Sequence, residues 1–195
     1  MTITSPSPSN ISPEVQRFID IAAIKELHIR YCRGVDRMDW DLIRSIYHPD
    51  AVDDHRKFRG SVEEFIEWAA PILSAFVCTT HFCGNQYVEV EGDSGWMESS
   101  TLAFHRRFPT EDSPAVDYVM NLRYVDVVER RDGEWRILDR TLICESESTL
   151  PVGEHARLGP AWLDSAATRD RTDRSYTAAL VAQERAQGGS QRLSS

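Results

Sequence analysis

Two long β segments joined by a tight turn decide the fold of this chain, and they read VDYVMNLRYVDVVERR-DG-EWRILDRTLICESES over residues 116–148. The Asp132-Gly133 step is a strong signal for a two-residue hairpin, since the favoured turns need positive φ angles that these residue types adopt readily. In the second segment both alternating sets of side chains include apolar residues. We therefore expect both faces of the hairpin to be covered, one by the core and the other by a second subunit.

Two further β segments precede this hairpin, at about residues 79–90 and 95–108. A Gly92-Asp93 turn separates them, and a polar loop at residues 109–114 leads into the hairpin. Four consecutive long β segments with short connections predict a mainly antiparallel sheet.

Helix signals fill the chain before the first β segment. Ser12-Pro13 has the form of a capping serine followed by proline at the first helical position, and apolar residues then recur at three- and four-residue steps up to Gly34, where we expect the helix to end. Asp39 can cap a short second helix that stops at His48-Pro49. A capping box at residues 61–64 predicts a third helix.

Three helices, a short strand near residues 51–54 and four long strands predict an α+β fold in which one curved sheet wraps the helices. We expect this domain to span residues 13–150, after a flexible leader at residues 1–12. Residues 151–195 are polar and Arg-rich, with Trp162, Leu163, Tyr176 and Leu180 as their strong apolar anchors. This composition indicates an arm or a lid, with a disordered end from residue 187 onward.

The composition narrows the possible partners. Among 195 residues, 41% are hydrophobic and 27% are charged, which is typical of one globular domain. The net charge of −9 argues against nucleic acid or an anionic membrane, because either would repel the chain, and a neutral or weakly polar small molecule fits better. The chain has neither a long apolar run nor a signal peptide, so we expect a cytoplasmic protein with reduced cysteines.

Asp36 and His81 point most directly to chemistry. Asp36 lies at the end of a long helix, where a negative charge is unfavourable for the helix dipole unless it has a partner. His81 lies in a strand with apolar surroundings, where a carboxylate would fix its tautomer and make it a general base. The alternative interpretations are an exposed helix-terminal aspartate and a structural histidine. Tyr31 can share their cavity if the helix unwinds near Gly34.

The other histidines carry weaker signals. His48 and His55 bracket an acidic run whose spacing matches no standard metal site, so we expect a solvated turn and no metal. His28, His105 and His155 show no pattern. The chain contains no nucleotide-binding, dinucleotide-binding or hydrolase-elbow motif, and we expect a site without a cofactor.

Several segments in order resemble the SnoaL-like branch of the nuclear transport factor 2-like superfamily. They are AAIKEL at 22–27, GVD at 34–36, YHPDA at 47–51 and RRDGEWRI at 130–137. The resemblance covers about residues 15–148 and implies a cystatin-like cone with a mixed sheet. Tyr31, Asp36 and His81 are similar to the pattern of scytalone dehydratase, bile-acid 7α-dehydratase and hexachlorocyclohexane dehydrochlorinase. These are cofactor-independent lyases that are often trimers, so a homotrimer is favoured, with a dimer as the alternative.

The resemblance implies roles for these three residues on a small aromatic or polycyclic substrate. His81 would abstract a proton, Asp36 would orient it and stabilise its imidazolium, and Tyr31 would polarise or protonate a substrate oxygen. The group eliminated would be water or a one-carbon fragment such as formaldehyde, as in the breakdown of lignin-derived diarylpropanoids. Because the superfamily also includes isomerases, cyclases and non-catalytic members, an isomerase or cyclase of the same acid–base type, a ligand-binding protein and a partner subunit remain alternatives.

Five further residues are candidates for substrate binding. His55 would be a second acid or base if it points inward. Asn121 and Arg140 lie on strands expected to line the cone and could bind a phenol or a carboxylate, although a one-residue register shift would turn either outward. Trp68 and Phe104 would supply apolar walls.

Overall fold

A single six-stranded sheet curves around the first and third helices. The computed structural model describes residues 11–107, 109–111, 114–152 and 168–192. The helices are α1 Pro13–Arg37, α2 Trp40–Ser45, α3 Val62–Ser74 and α4 Arg174–Arg192. The strands are β1 Tyr47–Asp54, β2 Arg59–Gly60, β3 Phe76–Glu91, β4 Ser94–Arg107, β5 Val116–Arg131 and β6 Glu134–Pro151.

The sheet is mixed, and its strand order is β2-β1-β6-β5-β4-β3. Only the β1–β6 pair is parallel among the strands described; the other neighbours are antiparallel. The core lies between the concave face of this sheet and α1 and α3, and it includes Ile24, Leu27, Phe65, Met97 and Ile137. The predicted α+β class and the wrapped-sheet arrangement are confirmed. None of the described helices combines the length and the hydropathy that a membrane-spanning segment requires.

The hairpin between β5 and β6 forms as predicted. Asp132 and Gly133 both have positive φ angles, 54° and 84°, which is the conformation that a tight two-residue turn requires. The capping predictions are also confirmed, since the side chains of Ser12, Asp39 and Ser61 accept hydrogen bonds from the first turns of α1, α2 and α3.

Gly34 does not end the first helix, so that prediction is wrong. Helix α1 continues to Arg37 and stops at Met38, which adopts a left-handed conformation with φ 52°. Gly34 instead permits the close approach of α2, because a Cβ at this position would lie 2.5 Å from Cδ1 of Ile43. The missing side chain therefore sets the distance between two helices rather than a helix boundary.

A β-bulge in β3 reverses the side-chain alternation of that strand. Gln86 pairs with Ser99 and Cys83 pairs with Thr101, so the two residues Gly84 and Asn85 face the single residue Ser100. Before the bulge the odd-numbered residues Thr79 and His81 point to the concave face, and after it the even-numbered residues Gln86 and Val88 do. The bulge thus determines which histidines meet inside the cone.

The C-terminal arm is partly helical. Helix α4 runs from Arg174 to Arg192. Tyr176 anchors the arm by donating to Oδ2 of Asp39 at 2.8 Å, whereas Leu180 is exposed. Trp162, Leu163 and His155 lie outside the described residues.

The contact between Gly34 and Ile43 can be tested by substitution. Gly34→Ala should lower the free energy of unfolding by about 1–3 kcal/mol through overpacking, although alanine is the better helix former by about 1 kcal/mol. Denaturant unfolding followed by circular dichroism measures this change.

The matched control for this substitution is Ile43→Val, which removes the clashing Cδ1 and by itself costs about 0.5–1.5 kcal/mol. The double variant should be less destabilised than the sum of the two single variants. Strict additivity would contradict the packing argument.

Candidate active site

An open cavity of about 420 Å³ lies between the concave face of the sheet and helices α1 and α3. Aliphatic side chains, the charged residues Arg56, Lys57 and Glu147, and six aromatic residues line it. The aromatic residues are Tyr31, Phe65, Trp68, Phe76, Tyr118 and Tyr124. Three histidines also reach it: His55 after β1, His81 on β3 and His105 on β4. A mostly apolar cavity with a few convergent polar groups is the usual form of a small-molecule site.

The Asp36 carboxylate, near the end of α1, and the His81 imidazole form a hydrogen-bonded pair. His81 donates from Nδ1 to Oδ1 of Asp36 at 2.7 Å and from its backbone N–H to Oδ2 at 2.9 Å. Thr79 Oγ1 adds a third hydrogen bond to Oδ1 at 2.8 Å. Burial alone would raise the pKa of Asp36, but the donors on His81 and Thr79 outweigh it and hold that pKa below its ordinary value. The carboxylate is therefore charged and firmly oriented.

This arrangement determines what the second nitrogen of His81 can do. Because Nδ1 carries the proton that goes to Asp36, Nε2 is the basic nitrogen on the cavity side. It lies 3.4 Å from Nε2 of His105. Burial, together with the charge that His81 carries when protonated, lowers the pKa of His105 to about 3, so a neutral His105 lies beside the basic nitrogen of His81.

A second Asp–His pair faces the same cavity. Nδ1 of His55 is in short hydrogen-bond contact with Oδ1 of Asp53, and Nε2 of His55 lies 3.1 Å from the hydroxyl of Tyr31. Tyr47 donates to the other carboxylate oxygen of Asp53 at 2.6 Å. Tyr31, His55 and Asp53 therefore form a continuous hydrogen-bonded chain from the cavity into the core.

A buried ion pair supports this chain from beneath. Arg140 makes two hydrogen bonds of 2.7 Å to Asp126, and both side chains are fully buried. The guanidinium lies 4.1 Å from the ring centroid of Tyr31. Burial raises the pKa of Tyr31 well above its ordinary value, with Tyr124, Tyr47 and Asp53 adding to the rise and Arg140 opposing it. Tyr31 is thus a neutral hydroxyl in the resting site.

The structure places the predicted site residues in three groups. Asp36, His81, Tyr31, His55 and Trp68 meet at the cavity or behind its wall. Helix α1 does not unwind near Gly34 to allow this, which corrects the expectation, because Tyr31 faces the cavity while Asp36 reaches His81 from behind it.

The other predicted binding residues do not reach the cavity. Arg140 points inward as predicted but has no exposed surface, since it lies behind the tyrosines of the wall. Asn121 and Phe104 lie on the convex face, where Asn121 donates to Ser146 at 2.7 Å and Phe104 contacts Arg106. Their expected inward orientation is wrong, because the alternation along β4 and β5 turns them away from the cone.

The sequence did not predict the site roles of His105 and Asp53. Asp53 has a readable signal, since residues two apart on a strand share a face and His55 was already a candidate. His105 had none, because its meeting with His81 depends on the bulge at residues 84–85. His48 does not line the cavity and instead contacts the carbonyl of Glu129. The described residues contain no cluster of His, Cys, Asp and Glu suited to a metal ion.

Comparison with known proteins agrees with this architecture. Residues 16–141 match the SnoaL-like domain family. An uncharacterised protein of Mycobacterium tuberculosis is 27% identical over 129 residues, which are 65% of this chain and 86% of that protein.

Solved structures share the fold. Hexachlorocyclohexane dehydrochlorinase LinA-type3 from Novosphingobium barchaimii has a TM-score of 0.64 and 19% identity, over 75% of this chain and 99% of that one. A scytalone dehydratase-like protein from Novosphingobium aromaticivorans has a TM-score of 0.61 and 19% identity, and the match covers 73% of this chain and 97% of that one. A Nostoc punctiforme protein of cystatin-like fold has a TM-score of 0.54 and 19% identity, and the match covers 65% of this chain and 92% of that one. The expected cystatin-like fold is confirmed.

The low pKa of His105 predicts a pH dependence of stability. His105 stays neutral in the folded protein but takes up a proton in the unfolded chain below about pH 6.5, so the stability present at neutral pH is lost as pH falls toward 3. Between pH 7 and pH 5 the native protein should lose about 2 kcal/mol more unfolding free energy than His105→Gln. Urea unfolding of both proteins at each pH measures this, and parallel losses would contradict the assignment.

Proposed function

The chain belongs to the SnoaL-like domain family, and from its site we propose that it is a cofactor-independent lyase acting on a small aromatic or polycyclic substrate. The observation that carries the proposal is the Asp36–His81 pair, with its basic nitrogen on the wall of an aromatic cavity. The hexachlorocyclohexane dehydrochlorinase and the scytalone dehydratase-like protein that share the fold support an elimination reaction.

In this proposal His81 is the general base. Its Nε2 takes a proton from a substrate C–H or O–H group, and the Asp36 carboxylate stabilises the imidazolium that forms. The electron pair left behind forms a new double bond as the leaving group departs. In a dehydration the departing group is water. In formaldehyde loss, the base takes the hydroxyl proton of a hydroxymethyl group, and the oxygen electron pair becomes the C=O bond of formaldehyde as the carbon–carbon bond breaks. The electron pair of that bond forms the new C=C bond, and a hydroxyl group on the adjacent carbon departs as water after protonation by the acid.

The chain from Tyr31 through His55 to Asp53 would act as the acid. A Tyr31 hydroxyl facing the cavity can donate to the departing oxygen, and the cationic Arg140 over its ring stabilises negative charge that develops on the phenol. His55 and Asp53 would orient this hydroxyl. Two Asp–His pairs thus face one cavity, and in this proposal the first supplies the base while the second lies beside the acid, Tyr31.

The aromatic walls favour an uncharged, planar substrate. A cavity of about 420 Å³ accommodates a small aromatic or fused-ring molecule, which can stack against Phe65, Trp68 and Tyr124. An isomerase or cyclase would use the same acid and base with no leaving group, and a binding protein would use the cavity alone.

The test is ultraviolet-monitored turnover of diarylpropanoids, hydroxylated polycycles and other phenols, by the native protein and by His81→Ala and Asp36→Asn. Loss of the general base should reduce kcat by roughly 10²–10⁴-fold. His55→Gln should reduce it too, with a greater loss for substrates whose leaving group needs protonation.

His48→Gln serves as the matched control, because His48 is a buried histidine that contacts a backbone carbonyl away from the cavity. Its turnover should equal that of the native protein. Binding without turnover across the panel, or turnover unchanged in His81→Ala, would overturn the lyase proposal in favour of a binding protein or partner subunit. Turnover without a released fragment would favour the isomerase.

We also propose that the convex face of the sheet is a contact between copies of this chain, most simply in a trimer. Phe82 and Leu102 are cross-strand neighbours on this face and are 67% and 44% exposed. Val127 and Leu150 add exposed apolar surface on β5 and β6. The exposed pair of Phe82 and Leu102 is the apolar surface on which this proposal rests, since contiguous exposed apolar surface is a feature of protein–protein contacts.

Light scattering after size exclusion tests this contact. The native mass should be a multiple of the 22.2 kDa chain, and Phe82→Glu should shift it toward the monomer. Glu26→Lys, a charge reversal at an exposed polar residue of α1, is the control and should leave the mass unchanged. A monomeric native protein would rule out the interface.

A further inference from the structure

One arginine of the C-terminal segment reaches the back of the site. Arg169 follows the family-matched residues 16–141 in the chain, yet its guanidinium donates to acceptors on three elements of the domain. The acceptors are the carbonyls of Val35, Asp36, Leu73 and Phe76 and the hydroxyl of Thr79.

The place is suited to a cation. Val35 and Asp36 belong to the last turn of α1 and Leu73 to the last turn of α3, where carbonyl groups lack partners within the helix and the helix dipole is negative. A guanidinium offers five N–H donors in a fixed plane, so one side chain can satisfy several of these carbonyls together. Arg169 thereby ties the ends of α1 and α3 to the start of β3.

The same side chain acts on the Asp36 carboxylate by two routes. Nε of Arg169 donates to the backbone carbonyl of Asp36 at 3.2 Å, which fixes the backbone from which the carboxylate extends. Nη2 donates to Oγ1 of Thr79 at 3.2 Å, and Thr79 donates in turn to Oδ1 of Asp36 at 2.8 Å. Because Arg169 occupies a lone pair of the threonine hydroxyl, the hydroxyl proton is directed to Asp36.

We propose that Arg169 is a positioning residue for the Asp36–His81 pair, so that the C-terminal segment completes a site otherwise built from the family domain. The consequence for catalysis rests on the lyase proposal, whereas the effect on the geometry of His81 does not. Without Arg169, Thr79 loses the donor that directs its hydroxyl proton to Asp36, and the end of α1 loses this cation. Asp36 then holds the Nδ1–H tautomer of His81 less firmly.

The direct test is nitrogen–proton correlation NMR of the histidine side chains at neutral pH. In the native protein, His81 should show a single Nδ1-protonated tautomer with a slowly exchanging proton. Arg169→Gln should increase the exchange rate of that proton by at least about tenfold and populate the second tautomer. Arg169→Lys, which keeps the charge but not the planar set of donors, should lie between the two.

Arg171→Gln is the matched control, because Arg171 belongs to the same segment but pairs with Asp39 at the surface. It should leave the His81 signals unchanged. Thr79→Val provides an independent route, since it removes the intermediary hydroxyl while Arg169 stays in place. It should change the populations of the His81 tautomers in the same direction as Arg169→Gln. The proposal can therefore still be tested if Arg169→Gln fails to fold.

Native His81 signals in folded Arg169→Gln, or in both Arg169→Lys and Thr79→Val, would overturn the proposal and leave Arg169 as a structural anchor. This readout needs no substrate, so it separates the proposal from the lyase assignment. Where a substrate is found, Arg169→Gln should lower kcat more than it raises KM, because the substrate contacts remain while the base loses its orientation.

Discussion

A carboxylate held at the negative end of a helix dipole is the constraint on which the rest of this structure depends. Asp36 belongs to the last turn of α1, where its charge opposes the dipole and burial adds a further cost. The charge persists there because Thr79 and His81 donate three hydrogen bonds to it and Arg169 supplies a nearby cation. Helix, sheet and C-terminal segment must therefore all meet at one point.

The same principle recurs deeper in the cone. Asp53 and Asp126 are fully buried carboxylates, and both oxygens of each accept a hydrogen bond. Tyr47 and His55 donate to Asp53. Arg140 donates to both oxygens of Asp126. Buried charges of this kind rarely increase stability over an apolar core. Their concentration beneath one cavity is better explained by the chemistry of the cavity than by stability.

Much of the architecture follows from local signals in the sequence. The capping residues, the Asp-Gly hairpin and the apolar periodicity predicted the helices and the long strands, because each depends only on neighbours in the chain. The failures share a different cause. Gly34 looked like a helix end because glycine often is one, but its role depends on Ile43, which no local pattern reveals. Phe104 and Asn121 were expected to point inward, because the face of the sheet to which a side chain points cannot be predicted without the strand register.

The sequence by itself determined the order of helices and strands, and it marked Asp36, His81 and His55 as candidates. Only the tertiary structure decided which side chains share the cavity. The bulge at Gly84 and Asn85 shifts the alternation of β3 by one residue, so that His81 and His105 meet on the concave face. A bulge adds one residue against a partner strand, and its position depends on packing against that strand rather than on the residues alone. Arg169 likewise contacts Asp36, although the two residues are 133 positions apart in the chain, and a contact at this separation cannot be predicted from local sequence patterns.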